Sequence, residues 1–184
     1  AWAVGLDADM IGVPEGPFVY GLPDERRRAW AEAEGIHPDM LHFHSRPAQR
    51  QTPAFWLDRY PVTRLQFLRF MRATGYRLPY NGWRVGWTEL LQAEALDDPR
   101  RWFCPMVGVN SEDALAYAQW AGKRLQTEVE WEKAGRGVDG RLFPWGDAPM
   151  PERPTADRRF TLDSVHAVGR RPEQASPYGI HDLT

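Results

Sequence analysis

The side chains able to do chemistry in this sequence fall in a few places. Cys104 is the single cysteine, and a lone thiol can act as a nucleophile but cannot close an internal disulfide or build a thiolate metal cluster within the chain. Its setting, Phe103-Cys104-Pro105-Met106, favours a buried apolar filler, with a reactive thiol as the alternative. His37, His42 and His44 form the histidine cluster; His-x-His in a strand would turn both rings to one side, as a metal site needs. Ordinary histidines of a surface loop are the preferred reading. Glu128, Glu130 and Glu132 suggest paired carboxylates for acid–base work, yet residues two apart on a helix point in different directions. Helix caps and ion pairs, with Arg124 and Arg136 as partners, are therefore expected instead. Trp83, Trp87 and Trp102 could floor a sugar or peptide groove, although core and loop packing is favoured. The Arg26–Arg28 run reads as a solvated helix face.

These residues have to be positioned by short elements. Asp9–Gly21 places two apolar runs around Pro14-Glu15-Gly16-Pro17, the pattern of a hairpin with a tight turn. A charged helix follows, capped by Asp24 and stopped by Gly35, and then a loop bearing His and Arg reaches Pro53. Phe55–Tyr60 reads as a strand. Thr63-x-x-Gln66 is a capping box opening a helix with Leu65, Phe67, Leu68, Phe70 and Met71 on its apolar side, and Gly75 supplies a left-handed stop. A helical turn is expected at Thr88–Leu96 and a short buried strand at Val107–Val109. Asn110 or Ser111 then caps a helix that carries Ala114, Leu115, Ala118 and Ala121 toward Gly122. A second box, Thr127-x-x-Glu130, opens a helix that ends near Gly135. Long connections between short strands and a few helices make the fold class α+β.

Composition sets the outer bounds. A chain of 184 residues is the size of one domain and can bury roughly 70% of its unfolded surface without disulfide staples. Nine Trp, eight Phe and six Tyr supply large buried areas with polar handles, enough to hold irregular loops. A net charge of -2 gives no global electrostatic reason to expect nucleic acid or an anionic membrane as partner. Lys123 and Lys133 are the two lysines, so nearly all positive charge is arginine. No run approaches the ~20 apolar residues of a membrane span, and the chain reads as soluble, with its compartment open.

At Trp120-Ala-Gly-Lys-Arg-Leu-Gln-Thr-Glu-Val-Glu-Trp-Glu-Lys-Ala-Gly-Arg-Gly137 the sequence resembles the formylglycine-generating-enzyme (sulfatase-modifying-factor) family, whose motif here is W-A-G-K-R-L-P-T-E-A-E-W-E-x-A-A-R-G. Ile11–Gly21, Asp58–Thr63, Val107–Val109 with Asp113-Ala114, Phe143–Gly146 and Tyr178–Thr184 follow in the family's order. Gln126, Arg64 and Asn110-Ser111 depart from the usual Pro, Asn and Ser-Trp without disturbing the capping chemistry. The resemblance implies a C-type-lectin-like fold over residues 1–184, one domain expected to be truncated at its C-terminal end, with residues 22–53 a divergent insertion or loop. It also implies that Trp120–Gly137 is a helix–cap–helix element wedged by its tryptophans against a mixed sheet.

Function by resemblance is broader. Family oxidases use a pair of cysteines for copper and oxygen, and Cys104 matches neither. Family calcium sites use oxygen ligands, and Asp157 and Asp163 fall in the loop corresponding to one of them; they are the candidate metal residues, with calcium as the cofactor. The first functional reading is a noncatalytic ligand-binding or recognition domain, such as a retroelement variable protein, whose partner is a protein or peptide. The alternative is the N-terminal part of a copper-dependent oxidase that converts a sulfatase cysteine to formylglycine. An iron-dependent sulfoxide synthase comes third, since the resemblance ties that class to an added helical domain with His-x-x-x-His ligands.

Overall fold

Three helices start where a hydroxyl or amide side chain is followed, three residues on, by a side chain that can reach back to it. The computed structural model describes residues 9–33, 47–78, 98–148 and 165–183, and among them each of these starts closes as a reciprocal capping box. Helix α2 (Arg64–Thr74) is capped by Thr63, whose N–H donates to Gln66 Oε1 at 2.7 Å while its hydroxyl accepts from the Gln66 N–H at 3.3 Å. Helix α3 (Ser111–Trp120) has the same arrangement between Asn110 and Asp113, and helix α4 (Glu128–Arg136) between Thr127 and Glu130. Each box satisfies two orphan donors of a first turn. Helix α2 stops at Gly75, in the left-handed region at φ 70°, where a residue without Cβ carries no steric penalty.

The strands are short: β1 (Met10–Val13), β2 (Gly16–Tyr20), β3 (Ala48–Thr52) and β4 (Phe55–Asp58), with helix α1 (Asp24–Ala33) between β2 and β3. They form two two-stranded sheets, β1 with β4 and β2 with β3. The β2–β3 pair is antiparallel, with its register running from Gly16 opposite Thr52 to Tyr20 opposite Ala48.

This pairing corrects the expected hairpin. β1 and β2 are consecutive and lie in different sheets, because the turn between them aims the carbonyls of Pro14 and Gly16 at the ammonium of Lys133. The chain before Pro53, expected as loop, is strand β3; its sequence Ala-Gln-Arg-Gln-Thr lacks alternation because three of its residues are exposed. Val107–Val109, expected as a strand, is irregular, since Gly108 takes φ 75° and breaks the extended run. Gly35, His37, His42, His44, Trp83, Trp87, Thr88–Leu96, Asp157 and Asp163 lie outside the described residues.

The chain divides into two compact units, one comprising 1–9, 58–125 and 151–172, the other 10–57, 126–150 and 173–184. In the first, α2 and α3 share an aromatic core: Phe67 stacks on Tyr117 at 5.6 Å, Phe70 meets Tyr117 edge-on, and Met106 and Val109 fill in beside them. Offset and edge-to-face pairs of this kind add to plain area burial. Asp113 is fully buried and accepts from the Tyr76 hydroxyl at 2.8 Å as well as from the Asn110 N–H. In the second unit, Val13, Phe55, Ala134 and Ile180 form the core, with Ile11, Leu57, Tyr178 and Leu183 around them.

The family-motif segment is thus the expected helix–cap–helix, but its tryptophans do not wedge it. Trp120 and Trp131 are 40% and 43% exposed, whereas Glu130, Lys133, Ala134, Gly135 and Arg136 are buried. Likewise Leu115 of the predicted apolar face of α3 is exposed.

Because each box closes two backbone donors, Thr63→Ala and Thr127→Ala are each expected to cost about 1 kcal/mol. Urea unfolding should show a lowered midpoint with an unchanged slope, and Thr→Ser at either position should restore most of it.

Candidate functional site

Helix α4 carries most of the motif's ionisable residues, and its sequence puts them on two sides. Lys133 is 1% exposed, and its ammonium donates to Pro14 O at 2.7 Å, Gly16 O at 3.0 Å and Thr52 Oγ1 at 2.8 Å. An ammonium has three donors, and all three are used. Burial pushes its affinity for the proton below the usual lysine range, with a weak opposing pull from Glu15.

One turn on, Arg136 donates to Arg141 O at 2.6 Å, Gly21 O at 3.1 Å and Gly140 O at 3.0 Å, and pairs with Glu132. Glu132 also accepts the Gly21 N–H at 2.6 Å. Glu130 is consumed by the cap, and Glu128 accepts from the Tyr20 hydroxyl at 2.8 Å. The three glutamates therefore serve structure, as expected. Arg136 is the partner foreseen; Arg124 donates to the Leu125 carbonyl at 3.1 Å.

After α4 the chain turns through Phe143–Gly146, where Phe143 and Gly146 exchange N–H···O bonds of 2.8 and 3.0 Å and the Phe143 and Trp145 rings stack at 5.0 Å. Arg141 grips Asp139 through Nε at 2.9 Å and Nη2 at 2.8 Å, and donates to Pro144 O. The hydrogen bond from Arg141 holds the Asp139 carboxyl down at about 2. Burial raises the nearby Tyr178 phenol, against the attraction of Arg141.

In the other unit Cys104 is buried, with Sγ 3.6 Å from the Val165 carbonyl. This is the filler environment expected of it. Arg64 is 3% exposed, and its guanidinium holds its proton less tightly because of burial and the neighbouring Arg101. The indole N–H of Trp102 is buried with no acceptor. Among the described residues no three His, Cys, Asp or Glu side chains gather as a metal cage, and no helix is long and apolar enough to cross a membrane.

Sequence reasoning missed the Lys133 cradle and the Asp139–Arg141–Tyr178 group. A hint of the first was available: Lys133 is one of two lysines in an arginine-rich chain, set two residues after a tryptophan on a short helix. Its acceptors lie more than eighty residues upstream and carry no local signal. What the assembled groups do chemically is bind backbone. The positive charges of α4 are matched to carbonyls, to the Thr52 hydroxyl and to the Glu132 carboxylate.

Comparison with known proteins gives a consistent kinship. Residues 4–184 match the Sulfatase-modifying factor enzyme 1-like domain. The chain is 35% identical over 177 residues to a formylglycine-generating enzyme of Thermomonospora curvata, covering 77% of this chain and 54% of that protein. It is 32% identical over 201 residues to a hercynine oxygenase of Mycolicibacterium smegmatis, covering 97% of this chain and 44% of that one. The chain thus spans about half the length of these relatives. Among solved structures, PvdO from Pseudomonas aeruginosa shares the fold at a TM-score of 0.63 and 23% identity, with 95% of this chain and 66% of that one covered.

Replacing Lys133 by Met keeps the volume and strands two carbonyls, so unfolding measurements should show a loss of about 2–4 kcal/mol. For Asp139 the folded carboxyl lies near 2, below its ordinary 3.8, so the stability it contributes is present above about 4 and is lost as pH falls through 2. Asp139→Asn should be less stable than the parent at pH 6, and in a pH series of thermal melts the difference should shrink below pH 4 and disappear only below pH 2.

Proposed function

The chain belongs to the sulfatase-modifying factor enzyme 1-like family, and on that footing we propose that it is a ligand-binding or recognition domain with a protein or peptide as its partner. The observation that carries this reading is the use made of the family motif. Lys133, Arg136, Glu130 and Glu132, the charged residues that could have done acid–base work, are tied to backbone carbonyls, backbone amides and a cap. A residue that holds strands and turns in place is not free to exchange protons with a substrate. Such a frame suits a domain that displays variable loops, as retroelement variable proteins do. Relatives named for two different reactions match the same frame, in keeping with function residing in grafted sites and not in the fold.

The oxidase reading is the alternative, and the likeness to formylglycine-generating enzymes favours it. Copper(I) of that chemistry asks for soft thiolate donors in a pair. These residues hold one thiol, Cys104, buried against a carbonyl, which does not fit a paired-thiolate copper site. Asp157 and Asp163 stand as proposed calcium ligands.

Four measurements test this. Elemental analysis is expected to find no stoichiometric copper, and a cysteine-containing sulfatase peptide incubated with oxygen and reductant should keep its thiol. Selection from a displayed peptide library should enrich a shared sequence. Calcium should raise the melting temperature, and Asp157→Asn with Asp163→Asn should abolish the rise. Stoichiometric copper with aldehyde formation would overturn the binding reading, and an unchanged calcium response in the double variant would remove the two aspartates from consideration.

A further inference from the structure

Helix α1 is attached to the second unit by different means from every other element there. Strands β2 and β3 are locked by a five-residue ladder, and α4 is sewn to them through Lys133. Among the described side chains of α1, Ala31 alone is buried; Asp24, Glu25, Arg26, Arg28, Ala29 and Glu32 are exposed and Arg27 half so. Arg26 makes a long-range polar tie, donating through Nη1 and Nη2 to the two oxygens of Asp147 at 3.1 and 3.2 Å and through Nη1 to Gly140 O at 3.2 Å. The expected solvated Arg26–Arg28 face is exposed at Arg26 and Arg28, and Arg26 adds an ion pair to it. Both partners of the ion pair are nonetheless wet, with side chains 45% and 57% exposed. A pair so placed contributes little and is screened by salt.

The acceptors do not depend on α1. Gly140 O is fixed by Arg136 from below at 3.0 Å, and the Gly140 backbone is pinned at φ 74° with Val19 so close that a Cβ would stand 3.1 Å from it. Asp147 Oδ1 is held by the Leu142 N–H at 2.9 Å. The chain that leaves the ladder at Tyr20 re-enters it at Ala48, directly opposite. Both ends of the excursion are thereby closed whether or not α1 is seated, and closing a longer loop costs only logarithmically more.

We propose that α1 is a releasable strap: a helix clamped to the Gly140–Asp147 turn by the Arg26 guanidinium, which opens as a unit under ionic control while the β2–β3 ladder and α4 stay folded. Opening removes one donor from Gly140 O and both from the Asp147 side chain contributed by Arg26; Arg136 and Leu142 keep the turn in place. Segments with few buried contacts and a solvent-exposed tie open at the low end of a protein's range of local stabilities.

Residue-resolved amide exchange on the full chain reads this directly. Amides 28–33 of α1 should exchange at least about tenfold faster than amides 132–136 of α4. Raising salt from 0.05 to 1 M, or Arg26→Ala, should accelerate the α1 amides several-fold and leave the α4 amides unchanged. Asp147→Asn, which retains an acceptor for Leu142, should act in the same direction as Arg26→Ala and serves should the first variant misfold. Exchange in α1 as slow as in α4 would overturn the proposal, and so would fast α1 exchange indifferent to salt and to both variants, or an acceleration shared equally by α1 and α4.

Discussion

The second unit depends on one ammonium placed where water does not reach. Burying an isolated charge is costly, and the cost is tolerable only when every donor finds a partner. Lys133 meets this with two carbonyls from the turn between β1 and β2 and a hydroxyl from the end of β3. The arrangement makes helix and strands conditional on one another. Helix α4 cannot shift by a turn without stranding the charge, and the β1–β2 turn cannot tighten into a hairpin without withdrawing its carbonyls. Arg136 repeats the device one turn later, gathering Gly21, Gly140 and Arg141 around a fork of planar donors. Planarity lets one guanidinium serve three backbone directions, which an ammonium could not do with the same fixed geometry.

How far the sequence could be read follows from the range of the forces involved. Thr63-x-x-Gln66 and Thr127-x-x-Glu130 act within four residues and, with Asn110 or Ser111 as the cap candidate between them, spacing alone locates the starts of three helices. The frame-defining contacts of Lys133 and Arg136 span more than a hundred residues in places, and nothing at either end announces the other. β3 was invisible for a further reason: its polar residues point outward and only Thr52 is buried, leaving no period to detect. The hairpin failed because Gly16 and its neighbours satisfy local turn rules that a distant cation overrides. Family resemblance agrees with local patterning that Trp120–Gly137 is a helix–cap–helix, although it places the burden on tryptophans that are half exposed.

Fold and chemistry separate cleanly in this chain. The residues that make the motif recognisable are the ones that hold it together, so the motif reports the scaffold.

The arginine bias noted from composition has a practical corollary once both lysines are seen in place. Lys133 is sealed, and Lys123 is bound to Asp58 at 2.7 Å with its side chain 16% exposed. The outer positive charge of the chain is carried by guanidinium groups, which hold their protons at any physiological pH and resist acylation. Amine-directed reagents, acetyl transfer and aldehyde crosslinkers thus find almost no side-chain amine to attack on this protein, and immobilisation through lysine would select for molecules already unfolded.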